Sequence, residues 1–251
     1  MFDLHSHILP EVDDGAKSLA ETEELLRLSV ADGVKGIVAT PHVNPSEYQY
    51  NPAIIEQAEL RVRALIASLD LPIALKVAGE VRLSPDIVPM AEQGNLPLLG
   101  FYHNKPTILV EFHHVHILPG TEKIAESLIK LGYQLLIAHP ERNSSVVKDI
   151  SILEPFIDMG CLLQINAGSL LGHFRQEPRD RAMQMLKKGW VHVIASDTHN
   201  LSKRRPCLRD AYQHVAMLHG EALAEQLCVI NPKAIFEGKK RPDDAGREEL
   251  L

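Results

Sequence analysis

Short apolar runs alternate with amphipathic helical patterns along the chain, and this alternation occurs seven times. The runs are nearly continuous in apolar residues, which is typical of strands that are buried on both faces of a sheet. Their sequences are FDLH, KGIVAT, PIALKVAG, TILVEF, YQLLIA, CLLQIN and VHVIAS. Strands of this kind separated by helices predict an α/β fold with a parallel sheet, and seven such units favour a closed or nearly closed barrel.

The helical segments carry start and stop signals. Ser18 and Glu21 have the spacing of a capping box, and Gly33 is placed to end the first helix. The last long pattern predicts a helical region from about Leu208 to Val229, and the segment NPKAIFEG then ends the fold. A doubly wound open sheet is the alternative, although no glycine-rich phosphate loop follows the first strand.

Length and composition narrow the class of protein. The 251 residues suit one large α/β domain, and no linker or internal repeat divides them. We predict a single domain over residues 1–238 and a polar, disordered tail over residues 239–251. The chain has 33 acidic and 26 basic residues and no basic run, which argues against nucleic-acid binding.

The cysteines and the apolar segments indicate where the protein resides. Cys161, Cys207 and Cys228 are an odd number without paired spacing, which favours a reducing compartment where thiols act as small apolar residues. The first residues lack the pattern of a signal peptide, and no apolar stretch reaches membrane-spanning length. We therefore expect a cytoplasmic protein without membrane insertion; the oligomeric state, including a homo-oligomer, is left open.

Residues that can ligate a metal follow six of the seven predicted strands. The carboxyl ends of barrel strands meet at one mouth, so these side chains are expected to converge there. His5 and His7, two residues apart on a strand, would face the same side. The eight candidates are His5, His7, His42, Glu80, Glu111, His139, Asp197 and His199.

Eight candidate ligands exceed the three or four that one zinc site takes, so two or three ions are expected. Histidines and carboxylates without a thiolate favour Mn, Fe or Zn over Mg alone. Clustered metal ions are a recurring device for phosphate ester hydrolysis. The pattern thus predicts a metal-dependent hydrolase of phosphate esters.

Six motifs resemble, in order and spacing, those of the PHP (polymerase and histidinol phosphatase) family. They are LHSHILPEVDDG, ATPH, AGE, VEF, AHPER and ASDTHN. Within this family they are most similar to the bacterial PHP protein-tyrosine phosphatases that are encoded with capsule and exopolysaccharide assembly proteins. The resemblance runs from Met1 to about Gly238, and it implies a distorted seven-stranded (β/α)7 TIM-like barrel.

The resemblance also implies a trinuclear centre, usually discussed with manganese. The first ion would take His5, His7, Glu80 and Asp197; the second would share Glu80 and add Glu111 and His139; the third would take Asp14, His42 and His199. Two arginines at the mouth would bind substrate and act in catalysis, and Arg142 and Arg204 match them, with the neighbouring Arg205 as an alternative for the second. No role is assigned to His113, His114 or His116.

Simpler interpretations remain for several of these residues. Asp13, Asp14 and Gly15 could form only a turn. Glu111 could orient a ligating histidine instead of contacting metal. His139 and His199 could be general acids instead of ligands.

The substrate implied by the resemblance is the phosphotyrosine-rich tail of a tyrosine autokinase that regulates capsular or exopolysaccharide biosynthesis. Two alternatives are a small-molecule phosphatase, such as a histidinol-phosphate phosphatase, and a non-catalytic protein that binds the kinase tail. Guanidinium groups suit either phosphate substrate, because their fork donates to two phosphate oxygens at once.

Overall fold

A computed structural model describes residues 1–44, 51–113 and 115–239. Within these ranges the strands are β1 (Phe2–Ser6), β2 (Gly36–Ala39), β3 (His42–Val43), β4 (Ala74–Val77), β5 (Glu80–Arg82), β6 (Gly100–Tyr102), β7 (Lys105–Glu111), β8 (Gln134–Ala138), β9 (Leu162–Asn166) and β10 (Val191–Ala195). The helices are α1 (Leu19–Ala31), α2 (Pro52–Ser68), α3 (Val88–Glu92), α4 (Thr121–Lys130), α5 (Ser144–Lys148), α6 (Glu154–Asp158), α7 (Ala167–Leu170), α8 (Gln176–Lys188), α9 (Leu208–His219), α10 (Glu221–Glu225) and α11 (Asn231–Glu237).

The parallel strands form a nearly closed barrel. Hydrogen-bonded neighbours run β10-β9-β8-β7-β5-β3 in one sheet and β1-β2-β4 in the other. The chain continues from β2 into β3 and from β4 into β5, so these pairs are two parts of one barrel wall. Backbone hydrogen bonds from Ala78 to Ala39 and from Glu80 to Pro41, of 2.9 and 3.0 Å, continue the pairing between the two sheets.

The first and last strands close the barrel through a short junction. An isolated parallel bridge joins Ser6 to Thr198. The backbone N–H of His7 donates to the carbonyl of Thr198 at 2.7 Å, and that of Asp197 donates to the carbonyl of His5 at 2.9 Å. The predicted seven-stranded barrel is confirmed, and the open-sheet alternative is wrong because the outermost strands meet.

The interior of the barrel changes from apolar to polar along its axis. Leu109, Leu136 and Leu162, on three neighbouring strands, belong to an inner apolar cluster. On β9, Gln164 and Asn166 follow Leu162 at intervals of two, so the same face continues towards the carboxyl end of the strand with amide side chains. Both amides are fully buried.

The C-terminal helix covers the opposite, apolar end of the barrel. On α11, the ring of Phe236 packs against Phe2, with ring centroids 5.3 Å apart. Gly100 permits the close approach of this helix, since a Cβ there would lie 2.0 Å from the carbonyl oxygen of Ile235. The apolar end is therefore closed, and the polar end carries the candidate ligands.

Local signals are largely confirmed, with two differences. Ser18 caps α1 by accepting from the N–H of Glu21 at 3.2 Å, but the Glu21 carboxylate accepts from the N–H of Lys17 and so forms no reciprocal capping box. The helical region predicted over 208–229 is divided at Gly220, whose φ of 92° ends α9 before α10 begins. A glycine reaches this left-handed region without the steric cost that other residues incur.

The structure also describes the cysteines and the length and polarity of the helices. Cys161, Cys207 and Cys228 are unpaired and buried, as expected of thiols that fill apolar space. Across residues 1–44, 51–113 and 115–239, every helix is too short or too polar to cross a membrane. The predicted tail lies outside the described residues apart from Lys239, and the domain boundary stays a prediction.

Candidate metal centre

All nine predicted ligands lie at the polar end of the barrel, on its strands or in the loops that connect them. The structure brings their donor atoms into four overlapping groups, and within each group these atoms lie within 4.8 Å of one another. The groups are His7, Asp14, His42 and His199; His5, His7 and Glu80; His5, His139 and Asp197; and His42, Glu80 and Glu111.

The first strand places two imidazoles against each other. The Nε2 atoms of His5 and His7 are 3.2 Å apart, and both side chains are buried. The period-two prediction of convergence is therefore confirmed. Glu80 lies between them, with its Oε2 atom 3.3 Å from each Nε2. Two imidazole nitrogens and a carboxylate oxygen at these distances form the kind of donor set that binds Mn, Fe or Zn.

Within the described part of the chain, three buried ligand atoms at the centre have no hydrogen-bond partner. They are Oε2 of Glu80, Oδ1 of Asp197 and Nε2 of His199. A buried polar atom without a partner costs free energy, and native proteins rarely leave one. These three point into one cluster of ligand-type residues, so the donor set fits divalent cations.

The charges of the centre shift the pKa values of its carboxylates. Burial alone would raise the pKa of Asp197, but Arg204 and the neighbouring histidines hold it well below its usual range. Burial would also raise the pKa of Glu80, and His5 and His139 lower it well below its usual range. Both groups are therefore carboxylates at neutral pH, which is the form that binds a cation.

The histidines respond differently according to their neighbours. Burial opposes the charged form of His7, but Asp13 outweighs it and raises the pKa of His7 to about 9. Burial, reinforced by His7, lowers the pKa of His199 to about 4. Contacts with His199 and His42 hold the pKa of Asp14 far below its usual range. Asp14 lies 3.3 Å from His42 and 3.4 Å from His199, as the third predicted group requires.

Asp13 forms contacts at the centre that the sequence did not predict. Its Oδ2 atom accepts from Nδ1 of His7 at 2.7 Å and from the backbone N–H of His42 at 3.2 Å. Gly15 is also constrained, because a Cβ at this position would lie 2.0 Å from the carbonyl oxygen of His7. The three residues therefore have separate roles, since Asp14 faces the centre, Asp13 orients His7, and Gly15 allows the loop to pass.

Glu111 is held by an arginine that the sequence interpretation missed. Buried Arg82 contacts Oε1 of Glu111 through Nε at 3.1 Å and Nη2 at 3.0 Å. The same oxygen lies 3.6 Å from Nδ1 of His42. Arg82 follows Glu80 by two residues on β5, so period-two reasoning would have placed it on the same face.

Glu80 connects the groups. It accepts from His139 through Oε1 at 2.7 Å. Glu111 is grouped with Glu80 and His42, whereas the second predicted ion combined Glu111 with Glu80 and His139.

Two of the three candidate arginines reach the centre. Arg142 and Arg204 donate to Oδ2 of Asp197 at 2.8 and 2.5 Å, and both line a cavity of about 280 Å³ above the ligands. Arg205 is exposed and does not line this cavity. Of the two adjacent arginines, Arg204 is therefore the one that lines the cavity. The guanidinium of Arg142 also lies over the ring of Phe174, 4.8 Å from its centroid.

Two of the three unassigned histidines lie within the described residues. His113 lines the cavity, and its carbonyl accepts from the amide of Asn143 at 2.8 Å. His116 is exposed. His114 lies outside the described residues.

The backbone is strained at two candidate ligands. His139 and Asp197 have φ angles of 32° and 53°, in the left-handed region that non-glycine residues seldom adopt. Such conformations cost about 1–3 kcal/mol each, and they cluster at active sites. Their occurrence directly after β8 and β10 supports a functional purpose for this end of the barrel.

This arrangement can perform a limited range of chemistry. Nine ligand-type residues would bind two or three divalent ions, and two guanidinium groups stand at the rim of a small polar cavity. Cations and guanidinium groups together favour an anionic substrate with several oxygens, such as a phosphate ester.

Comparison with known proteins gives consistent results. Residues 1–237 match the family model described as capsular polysaccharide synthesis, CpsB/CapC. Tyrosine-protein phosphatase CpsB of Streptococcus pneumoniae is 31% identical over 241 residues, which cover 94% of this chain and 98% of that protein. Tyrosine-protein phosphatase YwqE of Bacillus subtilis is 32% identical over 204 residues, which cover 81% of this chain and 79% of that protein.

A solved structure extends the similarity to three dimensions. It comes from work on YwqE from Bacillus subtilis and CpsB from Streptococcus pneumoniae, described as unique metal-dependent tyrosine phosphatases. It aligns with a TM-score of 0.87 at 29% identity and covers 95% of each chain.

Proposed function

Because the chain belongs to the CpsB/CapC family of capsular polysaccharide synthesis, we propose that it is a metal-dependent protein-tyrosine phosphatase. The reaction is the hydrolysis of a phosphate monoester, which gives tyrosine and inorganic phosphate. The observation that carries the proposal is the set of buried donor atoms without partners on Glu80, Asp197 and His199, directly beneath a cavity lined by Arg142 and Arg204.

Nine residues hold the metal ions in this proposal. Imidazoles and carboxylates without a thiolate favour manganese, iron or zinc over magnesium alone. Manganese is the first candidate because the family resemblance implies it. Two or three ions held there would supply an activated water and charge neutralisation at the phosphoryl oxygens. The ligands are His5, His7, Asp14, His42, Glu80, Glu111, His139, Asp197 and His199.

Arg142 and Arg204 bind the phosphoryl group and act in catalysis. Their side chains are 31% and 21% exposed, so they reach solvent while being anchored on Asp197. A guanidinium donates two parallel hydrogen bonds to a phosphate, and these bonds strengthen as charge develops on the oxygens. Arg205 assists only in attracting the anionic substrate, because it lies outside the cavity lining.

The size and lining of the cavity favour a phosphorylated protein side chain as the substrate. Its volume of about 280 Å³ and its polar walls suit a phosphoryl group. Phe112 and His113 also line it and provide aromatic surface for the ring that carries the phosphate. The departing phenol has a pKa near 10, so its oxygen leaves more readily than that of an aliphatic alcohol.

The proposal extends to the cellular setting. We place the protein in the cytoplasm, acting on the tyrosine-rich tail of an autokinase that regulates capsular or exopolysaccharide biosynthesis. Support comes from the description of the family model and from the unpaired, buried cysteines. The charge pattern, without a basic run, is against a nucleic-acid substrate.

The test compares two substrates with and without metal. Phosphate release is measured from a phosphotyrosyl peptide and from histidinol phosphate, using protein stripped with chelator and then supplied with manganese. Hydrolysis of the peptide that returns with metal supports the proposal. A preference for histidinol phosphate would keep the metal centre but replace the substrate. Failure to hydrolyse either substrate with metal bound would favour a non-catalytic protein that binds the kinase.

A further inference from the structure

Two buried amides connect two of the candidate ligands. Nδ1 of His5 lies 2.9 Å from Oε1 of Gln164, Nε2 of Gln164 donates to Oδ1 of Asn166 at 2.9 Å, and Nδ2 of Asn166 donates to Oδ2 of Asp197 at 2.6 Å. We call Gln164 and Asn166 the amide pair. Both belong to β9. None of the nine candidate ligands lies on this strand or in the segment between it and β10.

The direction of this chain of hydrogen bonds is fixed from one end. The carboxylate of Asp197 can only accept, so Asn166 must present its NH₂ group to it. Oδ1 of Asn166 then accepts, so Gln164 must donate to it and turn its own carbonyl towards His5. That carbonyl also only accepts, and therefore Nδ1 of His5 carries the proton.

The amide pair thereby decides which atoms face the centre. With Nδ1 of His5 protonated, the lone pair of the ring is on Nε2, which lies 3.4 Å from Oδ1 of Asp197. Oδ2 of Asp197 accepts hydrogen bonds from Asn166, Arg142 and Arg204, while Oδ1 has no hydrogen-bond partner among the described residues. One donor atom on each residue is thus left for a cation.

The surroundings keep the amide pair in place. Both side chains are 0% exposed. The backbone N–H of Asn166 donates to Oε1 of buried Glu141 at 2.9 Å, which fixes the start of the side chain. In a water-excluded interior such chains of hydrogen bonds strengthen one another, and an amide turned the wrong way would leave two carbonyl oxygens face to face.

We propose that Gln164 and Asn166 are positioning residues of the metal centre, which set the tautomer of His5 and the binding oxygen of Asp197 together. This inference rests on the metal centre of the proposed function. Residues that orient metal ligands typically affect metal affinity by about 10–100-fold. The amide pair orients two ligands, His5 on the first strand and Asp197 after the last strand. Its own strand, β9, carries none of the candidate ligands.

The experiment measures metal binding and the state of His5, without using hydrolysis. Zn²⁺ affinity is measured by calorimetry for the wild type, Gln164→Leu and Asn166→Ala. Long-range ¹H–¹⁵N spectra of ¹⁵N-histidine-labelled, Zn²⁺-loaded protein then report the Nδ1 proton of His5, assigned by its loss in His5→Gln. The matched control is Thr107→Val, which removes a buried hydroxyl at the start of the same barrel wall, away from the centre.

We expect both variants to bind Zn²⁺ at least about 10-fold more weakly and to lose the protected Nδ1 proton signal, while Thr107→Val changes neither. The effect of Asn166→Ala on the Nδ1 proton of His5 is decisive, because Gln164 joins Asn166 to that nitrogen, whereas Asp197 approaches the ring at Nε2. Unchanged Zn²⁺ affinity and an unchanged His5 signal in Asn166→Ala would overturn the proposal. Should Gln164→Leu fail to fold, Asn166→Ala alone decides. Neither result depends on phosphatase activity, so this inference can fail independently of the proposed function.

Discussion

The Oδ2 atom of Asp13 lies 2.7 Å from Nδ1 of His7. The carboxylate accepts a hydrogen bond from Nδ1–H and thereby turns Nε2 towards Glu80, from which it is 3.3 Å away. This carboxylate–histidine contact is the usual means by which proteins orient a metal-binding imidazole. Asp13 serves His7 as Gln164 serves His5, so each histidine of the first strand has its own orienting partner.

Replacing Asp13 should weaken metal binding without removing a ligand. We expect Asp13→Asn to lower the affinity for Mn²⁺ by about 10–100-fold, because the amide no longer favours one tautomer of His7. Calorimetric titration of chelator-stripped protein measures the affinity. Glu11→Gln is the control, since Glu11 lies in the same loop and contacts the exposed Arg61 at 3.0 Å. An equal effect of both substitutions would show that the loop, and not the contact with His7, matters.

The two adjacent arginines should behave differently. Arg204→Ala should reduce kcat/KM for a phosphotyrosyl peptide by about 100-fold or more, because it removes a donor aimed at developing phosphoryl charge. Arg205→Ala should change kcat/KM by less than about threefold, as expected of an exposed charge. Metal content by elemental analysis should equal that of the wild type in both. Loss of metal from Arg204→Ala would instead assign this side chain to the stability of the centre.

Phe174 should support Arg142 through its ring. Phe174→Leu keeps an apolar side chain but removes the aromatic face that lies 4.8 Å from the guanidinium. A contact of this type contributes about 0.5–1 kcal/mol, so we expect KM to rise about two- to fivefold with little change in kcat. Phe174→Tyr retains the face and should keep the wild-type KM. If the two variants were indistinguishable, the cation–π contact would have no part in substrate binding.

Asp3 should make stability depend on pH in a defined window. Burial raises the pKa of Asp3 to about 6, although hydrogen bonds from Ser196 oppose the shift, against 3.8 for the free group. The folded protein thus holds this proton to higher pH than the unfolded chain does. The stabilising contribution is full below pH 3.8 and is lost as the pH rises through about 6.

The size and the test of this effect follow from the linkage between proton binding and folding. A tenfold change in proton affinity corresponds to about 1.4 kcal/mol, so the change across the window is on the order of 3 kcal/mol. Urea unfolding of the metal-free wild type and of Asp3→Asn between pH 3.5 and 7 isolates the contribution of Asp3 to the free energy of unfolding. The free energy of unfolding of the wild type relative to the variant should fall with rising pH. A constant difference across this range would contradict the assignment.

The fold and most of the centre could be predicted because they depend on period and order. His5 and His7 needed only the alternation of a strand, and the convergence of distant ligands needed only that parallel barrel strands end at one mouth. The family resemblance is confirmed by the match to CpsB/CapC over residues 1–237. Neither argument requires knowledge of which side chains touch.

The residues that were missed act through a specific partner. Asp13 looks like a turn residue until His7 is seen beside it, and Gln164 acquires meaning only between His5 and Asn166. Which of Arg204 and Arg205 faces the cavity depends on the conformation of the loop after β10. Such contacts depend on three-dimensional packing, which neither hydrophobic period nor motif spacing specifies.

The closure of the barrel has a further consequence for the whole molecule. Residues near opposite ends of the chain, His5 and Asp197, meet where the described structure joins its first and last strands by an isolated bridge and a few backbone hydrogen bonds. An ion that both residues ligate is therefore a cross-link between the two termini of the barrel. Its binding free energy would add to the free energy of folding. Chelation would then remove not only the metal needed for hydrolysis but also one attachment between the beginning and the end of the fold.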